Sequence, residues 1–171
     1  MYLREKIWYM SIRKDIIISI EEFKSQTELP DQDADLLSAA RENAKKAYAP
    51  YSNFQVGAAV LLANGQIITG NNQENAAYPS GLCAERVALF YAQSKYPDVA
   101  VKAIAVTAIS SKIDISSPIP PCGACRQVLT EYENRHHSPM RVILQGERGS
   151  IVTLNSASDL LPLKFDSEFL K

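Results

Sequence analysis

The stretch Val101-Lys102-Ala103-Ile104-Ala105-Val106-Thr107-Ala108 is apolar at nearly every position. A strand with one face in water alternates apolar and polar residues, whereas a nearly continuous apolar run is typical of a strand buried on both faces. The sequence therefore predicts a strand here, at the centre of a sheet that is covered on both sides.

Further elements are predicted on either side of this strand. The spacing of apolar residues predicts helices over residues 34–48, 83–95 and 122–134, with a short one from about residue 156. Strands are predicted over residues 54–62, 66–70, 140–145 and 150–154. Asn64-Gly65 between the first two strands is a strong hairpin signal. Strands alternating with helices of this length favour an α/β sandwich with a mainly parallel or mixed sheet.

Residues 1–33 are predicted to be an N-terminal extension, and residues 34–171 the main domain. Within the extension, Arg13–Ile20 is short and rich in β-branched residues, so we expect an added edge strand or an interface segment there. Met1–Met10 mixes charged and aromatic residues and lacks the apolar core of a secretory signal, which leaves the cytoplasm as the expected location. Whether Met10 is the true start stays open.

Length and charge limit the possible partners. The 171 residues fit one ordinary domain, and 18 basic residues are balanced by 19 acidic ones. No basic arm or long block of one sign is present, so nucleic acid is not an expected partner. No apolar run reaches the roughly 18–20 residues that a bilayer span needs, so no membrane partner is expected either.

The three cysteines predict a catalytic metal site. An odd number cannot form a closed set of disulfides, and the spacing of Cys122 and Cys125 places both on one face of a helix. Cys83 is expected at the start of another helix, and unpaired backbone N–H groups at both helix starts would stabilise thiolates. Zinc prefers such ligands, and a catalytic zinc keeps its fourth position open. We therefore expect Cys83, Cys122 and Cys125 to bind one Zn²⁺.

Glu85 and Arg86 complete this constellation. Glu85 lies two residues after a ligand, close enough to move protons at the metal centre without binding the metal. Arg86 is expected to donate hydrogen bonds to the cysteine sulfur atoms and so to offset their negative charge. The two histidines, His136 and His137, are expected to be exposed and without a role in the site.

These residues resemble the signature of the cytidine deaminase family. The metal motifs are Cys83-Ala84-Glu85 and Pro121-Cys122-Gly123-Ala124-Cys125-Arg126-Gln127, and further similarity lies in residues 49–59, 70–79 and 160–165. The general form of this signature is itself a documented pattern of zinc deaminases. The likeness covers about residues 36 to 170. It implies a three-layer α/β/α sandwich around a five-stranded mixed sheet, with the predicted N-terminal strand added.

The resemblance also implies a reaction and a set of substrate contacts. The reaction is the zinc-dependent hydrolysis of cytidine and deoxycytidine to uridine and deoxyuridine plus ammonia, in pyrimidine salvage. Phe54 would pack against the pyrimidine ring, and Asn72 and Glu74 would bind the ribose hydroxyls. The backbone of Ala84 and the carboxyl of Glu85 would read the base edge, with Glu85 delivering protons to N3 and to the departing ammonia.

Family members with three cysteine ligands are homotetramers in which neighbouring subunits complete each site. Ala76, Tyr78 and Phe165 match residues that act across those interfaces. Gln73 departs from the pattern, because Val or Ile is usual between the ribose-binding Asn and Glu; the sequence leaves its effect open.

Two other functions remain open at this point. The first is deamination of a related substrate, such as blasticidin S, free cytosine or a nucleotide. Asn72 and Glu74 favour a ribose-bearing ligand, and Glu74 would repel a nearby phosphate. The second is a non-catalytic zinc-binding protein of the same fold, against which the presence of Glu85 argues.

Overall fold

A computed structural model describes residues 11–170; the expectations about Met1–Met10 concern residues outside this range. The strands are β1 (Glu21–Phe23), β2 (Phe54–Leu62), β3 (Ile67–Asn71), β4 (Val101–Ser110), β5 (Arg141–Gln145) and β6 (Ile151–Leu154). The helices are α1 (Asp31–Ala44), α2 (Ala84–Lys95) and α3 (Gly123–His136). All six strands form one sheet in the order β1-β6-β5-β4-β2-β3. The sheet is mixed, because β4 pairs with β5 in parallel while the other neighbours are antiparallel.

The helices lie on both faces of this sheet, which makes the predicted three-layer sandwich. Alternate residues of β2 show the division: Ala59 and Leu61 belong to the core cluster under α1, whereas Ala58 and Val60 belong to the cluster under α2 and α3. In β4, Ile104 and Val106 face α2 and α3, and Ala103 and Ala105 face α1. The predicted double-sided burial of residues 101–108 is therefore confirmed, and it follows from the period of two along a strand.

Two glycines let helices approach the hairpin closely. A Cβ atom on Gly70 of β3 would lie 2.4 Å from the backbone nitrogen of Ala88 and 2.6 Å from the carbonyl oxygen of Ala84. A Cβ atom on Gly57 of β2 would lie 2.0 Å from the carbonyl oxygen of Ala40. These distances are too short for any side chain, so α1 and α2 are seated directly on the backbone of β2 and β3.

The N-terminal strand is present, but not at the predicted residues. Residues 11–20 have no regular secondary structure, and β1 follows them as an edge strand antiparallel to β6. The predicted strand over Arg13–Ile20 is wrong because those residues have no neighbouring strand among residues 11–170. Phe23 instead anchors β1 by packing against the α1 core, while Glu21 accepts a hydrogen bond from Arg141. The six strands are thus the expected five plus one. The domain boundary between residues 33 and 34 stays a prediction.

The C-terminal segment contains two short 3-10 turns, Ala157–Leu160 and Ser167–Leu170, where a single short helix was expected. Pro162 lies between them and interrupts any continuous helix. The first turn is fixed by the buried carboxylate of Glu133 on α3, which accepts hydrogen bonds from the backbone N–H groups of Ala157 and Ser158. Within residues 11–170, none of the helices has the length and apolar character needed to cross a membrane.

Gly70→Ala should displace α2, because the added methyl group collides with backbone atoms that cannot rotate away. We expect a loss of about 1–3 kcal/mol in the free energy of unfolding, measured by urea denaturation. The zinc content should also fall, since Ala84 lies between Cys83 and Glu85. Gly123→Ala is the control, because its added methyl group meets nothing within 4 Å. Equal urea midpoints for the two variants would contradict this account of the packing.

Candidate metal centre and active site

The three cysteines converge at the starts of two helices. Cys83 immediately precedes α2, Cys122 immediately precedes α3, and Cys125 lies in the first turn of α3. Their three Sγ atoms lie within 4.8 Å of one another, and those of Cys83 and Cys122 are 3.8 Å apart. Because α2 and α3 cover the same face of the sheet, the fold brings together sulfur atoms that are far apart in the sequence.

The surroundings of the cluster stabilise negative charge on Cys83. Its pKa is lowered to about 5, first by a hydrogen bond from the Cys125 thiol and then by hydrogen bonds from Arg86 and Cys122, against an opposing effect of burial. The Arg86 guanidinium donates to Cys83 Sγ at 3.5 Å, as the sequence predicted. The pKa of Cys125 is raised by its hydrogen bond to Cys83 and by burial. In the metal-free protein, the surroundings therefore favour the thiolate on Cys83 and the thiol on Cys125.

This donor set fits zinc. Three sulfur ligands from two helix starts match the thiolate coordination that zinc prefers, and no fourth His, Cys, Asp or Glu joins the cluster within residues 11–170. Such a set leaves one coordination position for water, the arrangement of a catalytic site rather than of a closed structural one. His137 is exposed as expected. His136 is partly buried, and its Nε2 contacts Gln93 Oε1 at 2.8 Å. Neither histidine belongs to the sulfur cluster.

Glu85 is the buried carboxyl group of this centre. Only 4% of the residue is exposed, although it lies in the first turn of α2 and lines a cleft. Burial raises the pKa of Glu85, and the negative charge on Cys83 raises it further. The environment thus favours the protonated form, which suits a group that must take up and release a proton.

The cleft has a volume of about 900 Å³ and is open to solvent. Nine of the residues singled out from the sequence line it: Phe54, Asn72, Glu74, Ala76, Tyr78, Cys83, Glu85, Arg86 and Cys122. Three do not. Ala84 and Cys125 are fully buried beside the cleft, and Cys125 belongs to the sulfur cluster. Phe165 lies on the C-terminal segment, where it is exposed.

The amide of Asn72 is partly committed to the protein itself. Its Oδ1 accepts a hydrogen bond from Val56 N at 2.7 Å, and its Nδ2 donates to the carbonyl oxygen of Phe54 at 2.9 Å. One N–H and one lone pair of the amide remain for a ligand. Asn72 therefore also holds the first residues of β2, including Phe54, at the edge of the cleft.

Glu74 is held as a carboxylate on the other side of the same loop. Its Oε2 accepts hydrogen bonds from the backbone N–H groups of Tyr51 and Ser52, at 2.8 and 3.3 Å. A side-chain hydrogen bond from Ser52 is the largest cause that lowers the pKa of Glu74, and the two backbone bonds add to it. Gln73, between the two, pairs its backbone with Leu82 in both directions, and its exposed side chain donates a hydrogen bond to Asn71 Oδ1.

Arg126 and Gln127 connect α3 to the C-terminal segment, a role that the sequence did not reveal. Arg126 Nε donates to the carbonyl oxygen of Pro121 at 2.8 Å, and its Nη1 donates to that of Leu160 at 3.2 Å. Gln127 Nε2 donates to the carbonyl oxygen of Phe165 at 2.7 Å. The position of both residues directly after Cys125 was the available signal.

The apolar wall of the cleft was also missed. It includes Val56, Val106, Ile119 and Pro120. Val106 belongs to the buried strand β4 and was predicted only as core. Ile119 and Pro120 stand next to Pro121-Cys122, and this closeness in sequence to a metal ligand could have identified them.

Comparison with known proteins agrees with this site. The family described as the cytidine and deoxycytidylate deaminase zinc-binding region matches residues 30–138. The cytidine deaminase of Halalkalibacterium halodurans is 44% identical over 133 residues, covering 78% of this chain and 93% of that protein. That of Sporosarcina psychrophila is 42% identical, covering 79% and 92%. A solved structure of cytidine deaminase from Burkholderia pseudomallei has a TM-score of 0.68 and 40% identity, covering 80% of this chain and 100% of that one.

The pKa difference between the cysteines predicts an order of alkylation. In protein stripped of metal by a chelator, iodoacetamide at about pH 6.5 should modify Cys83 before Cys125, because the reagent attacks the thiolate. Cys83, with a pKa of about 5, is ionised there, whereas Cys125 is protonated and buried. Peptide mass spectrometry over time measures the order. Zinc-loaded protein should be protected, and faster labelling of Cys125 would contradict the assignment.

Proposed function

This chain belongs to the cytidine and deoxycytidylate deaminase family, and we propose that it hydrolyses the 4-amino group of cytidine and deoxycytidine. The products are uridine or deoxyuridine and ammonia. The observation that carries this proposal is the position of Glu85, a buried carboxyl group that lines the cleft beside the three-sulfur cluster. A carboxyl group with a raised pKa next to a metal centre with an open position is suited to hydrolysis.

The chain's own residues divide the work of the reaction. Zn²⁺ held by Cys83, Cys122 and Cys125 would supply a Lewis acid that activates water. The Glu85 carboxylate would take up one proton of the water and donate it to N3 of the base. It would then take up the second proton, from the hydroxyl group that the water leaves on C4, and donate it to the departing amino group. Overall, the oxygen of water forms a bond to C4, the C4–N bond breaks, and ammonia leaves. The Arg86 contact to Cys83 would stabilise the negative charge on that sulfur atom.

The lining of the cleft supports a nucleoside as the substrate. We assign Phe54 to the pyrimidine ring, Asn72 and Glu74 to the ribose hydroxyls, and the Ala84 backbone to the base edge. Glu74 is kept ionised by its hydrogen bonds, so it would repel a phosphate group placed beside the ribose. Among residues 11–170, Arg86 is the only basic residue that lines the cleft, and it is engaged by Cys83. This part of the chain therefore offers no free cation to the phosphate of a nucleotide.

We also propose that the enzyme is a homotetramer. Its exposed apolar residues support this: Tyr78 at the mouth of the cleft is 91% exposed, and Leu163, Phe165 and Phe169 are exposed on the C-terminal segment. Phe165 and Phe169 stack on each other, and contiguous exposed apolar side chains are typical of a protein interface. Neighbouring chains would then place Ala76, Tyr78 and Phe165 around each other's clefts.

The cellular assignment follows from the same chemistry. We propose a cytoplasmic enzyme of pyrimidine salvage, since recovery of free nucleosides is the setting that uses this reaction. Three thiolates that bind metal require a reducing compartment, where cysteines are not consumed by disulfides.

The direct test follows the loss of cytidine absorbance with purified, zinc-loaded protein. Deoxycytidine, cytosine, cytidine monophosphate and blasticidin S are measured in parallel. We expect turnover of the two nucleosides alone. Glu85→Gln should retain zinc and lose a factor of about 10²–10⁴ or more in kcat, because it removes the group that transfers protons. Glu131→Gln, an exposed residue of α3, is the matched control and should leave kcat unchanged.

Other outcomes of this assay have distinct meanings. Activity on blasticidin S or cytosine alone would show that the protein is a deaminase with a different substrate. A protein that binds zinc and turns over none of the five compounds would instead be a binding protein of this fold. Near-normal activity of Glu85→Gln would disprove the proton-transfer role.

The tetramer is tested by sedimentation velocity. We expect a main species of four times the 18.9 kDa chain mass. Tyr78→Ala should reduce activity in proportion to its loss of tetramer, because the exposed ring would contact a neighbouring chain. A fully active monomer would refute both the assembly and the shared sites.

A further inference from the structure

We propose that residues 13–22 form an antiparallel strand pair with the same residues of a second copy of this chain. The segment is Arg13-Lys14-Asp15-Ile16-Ile17-Ile18-Ser19-Ile20-Glu21-Glu22. It belongs to no motif of the catalytic site. The inference is independent of the deaminase reaction.

The first observation is an unused sheet edge. β1 ends the sheet on the side of β6, and no described strand lies beyond it. Its outward backbone N–H and C=O groups are therefore available to another strand. Natural edge strands are usually protected by proline, bulges or a covering element. Residues 11–22 contain neither proline nor glycine, and within residues 11–170 they are exposed.

The second observation is the apolar segment that leads into β1. Five isoleucines between residues 12 and 20 are exposed, with Ile17 at 87%. Isoleucine favours strands, and such a segment continues the direction of β1 without a turn residue. Within the single chain it has no strand to pair with, which is why it lacks regular structure.

The third observation identifies the partner as a second copy. The segment begins with the basic pair Arg13-Lys14 and ends with the acidic pair Glu21-Glu22. In an antiparallel pair with a two-fold axis between Ile17 and Ile18, each basic residue lies opposite an acidic one. Arg13 then faces Glu22 of the second copy, and each contact occurs twice by symmetry.

The same register sorts the isoleucines. Alternate residues of a strand share a face, so Ile16, Ile18 and Ile20 lie on one side. Directly opposite Ile18, on that side, is Ile17 of the second copy. Each face of the two-stranded ribbon therefore carries four isoleucines, and opposed β-branched residues are favourable strand neighbours. A register shifted by one residue would keep only one of the two basic–acidic pairs, Lys14–Glu22 or Arg13–Glu21.

In this register the two folded domains do not collide. The β1 strand of each copy lies beside the start of the other segment, at residues 12–14. Ten residues of strand span about 33 Å, so the two domains lie at opposite ends and on opposite sides of the ribbon. Glu21 already accepts hydrogen bonds from Arg141 and Thr153, so the test uses the Arg13–Glu22 contact. Arg13 pairs with Asp15 in the single chain, a contact between exposed groups that the association would replace.

The test uses sedimentation velocity of the full-length protein at low salt, where exposed charges are least screened, and measures association of the proposed tetramer into larger species. Arg13→Glu and Glu22→Arg should each weaken association about tenfold, because each puts like charges opposite each other twice. An equimolar mixture of the two variants, and the double variant R13E/E22R, should restore it, since both place opposite charges in register. Failure of the mixture to restore association overturns the proposal.

A second pair of variants tests the apolar contact. Ile18→Lys should abolish the association, whereas Ile67→Lys should not, although Ile18 and Ile67 are both 42% exposed. Ile67 lies on β3, at the opposite edge of the sheet. Both variants should keep the parent's melting temperature and kcat/KM. An equal effect of the two variants, or association that none of the variants changes, would overturn the strand pair.

Discussion

Three sulfur atoms from two helices must lie within 4.8 Å of one another, and the rest of the structure depends on this requirement. It fixes the starts of α2 and α3 at one point on one face of the sheet. The seat of α2 is set by Gly70, whose missing side chain lets the helix rest on β3. The seat of α3 is set by Glu133, which binds the chain that follows β6, and by Arg126, which holds the carbonyl oxygen of Pro121 just before Cys122.

The placement of Glu85 is a by-product of the same requirement. Because Cys83 ends at the metal centre and α2 begins directly after it, the second residue of the helix is carried into the interior of the cleft wall. Burial there is costly for a carboxylate, and the protein meets this cost by favouring the protonated form. Opposite it, Glu74 accepts backbone hydrogen bonds and stays ionised. Two carboxyl groups of one cleft are thus tuned in opposite directions by their surroundings.

Local sequence patterns predicted the buried strands and helices. They did not predict the features that depend on residues far away in the sequence. Strand β2 begins and ends at the predicted residues, and the sulfur cluster has the predicted members, because apolar period and ligand spacing are local properties. The isoleucines before β1 have strand propensity but no neighbour to bond with, so propensity alone was insufficient there. Local sequence patterns also could not predict that the Asn72 amide binds the backbone of β2. Val56 and Phe54 come next to Asn72 only after the hairpin forms.

The hydrogen bond from Gln127 to Phe165 has a consequence for how this enzyme can evolve. The bond ends on a main-chain carbonyl oxygen, an atom that every amino acid offers equally. This anchoring bond is therefore independent of which side chain stands at position 165, while the exposed ring there stacks on Phe169 of the same segment. The two contacts of this residue are thus made by different parts of it, the main chain to Gln127 and the ring to Phe169. Selection can alter the ring without breaking the main-chain bond.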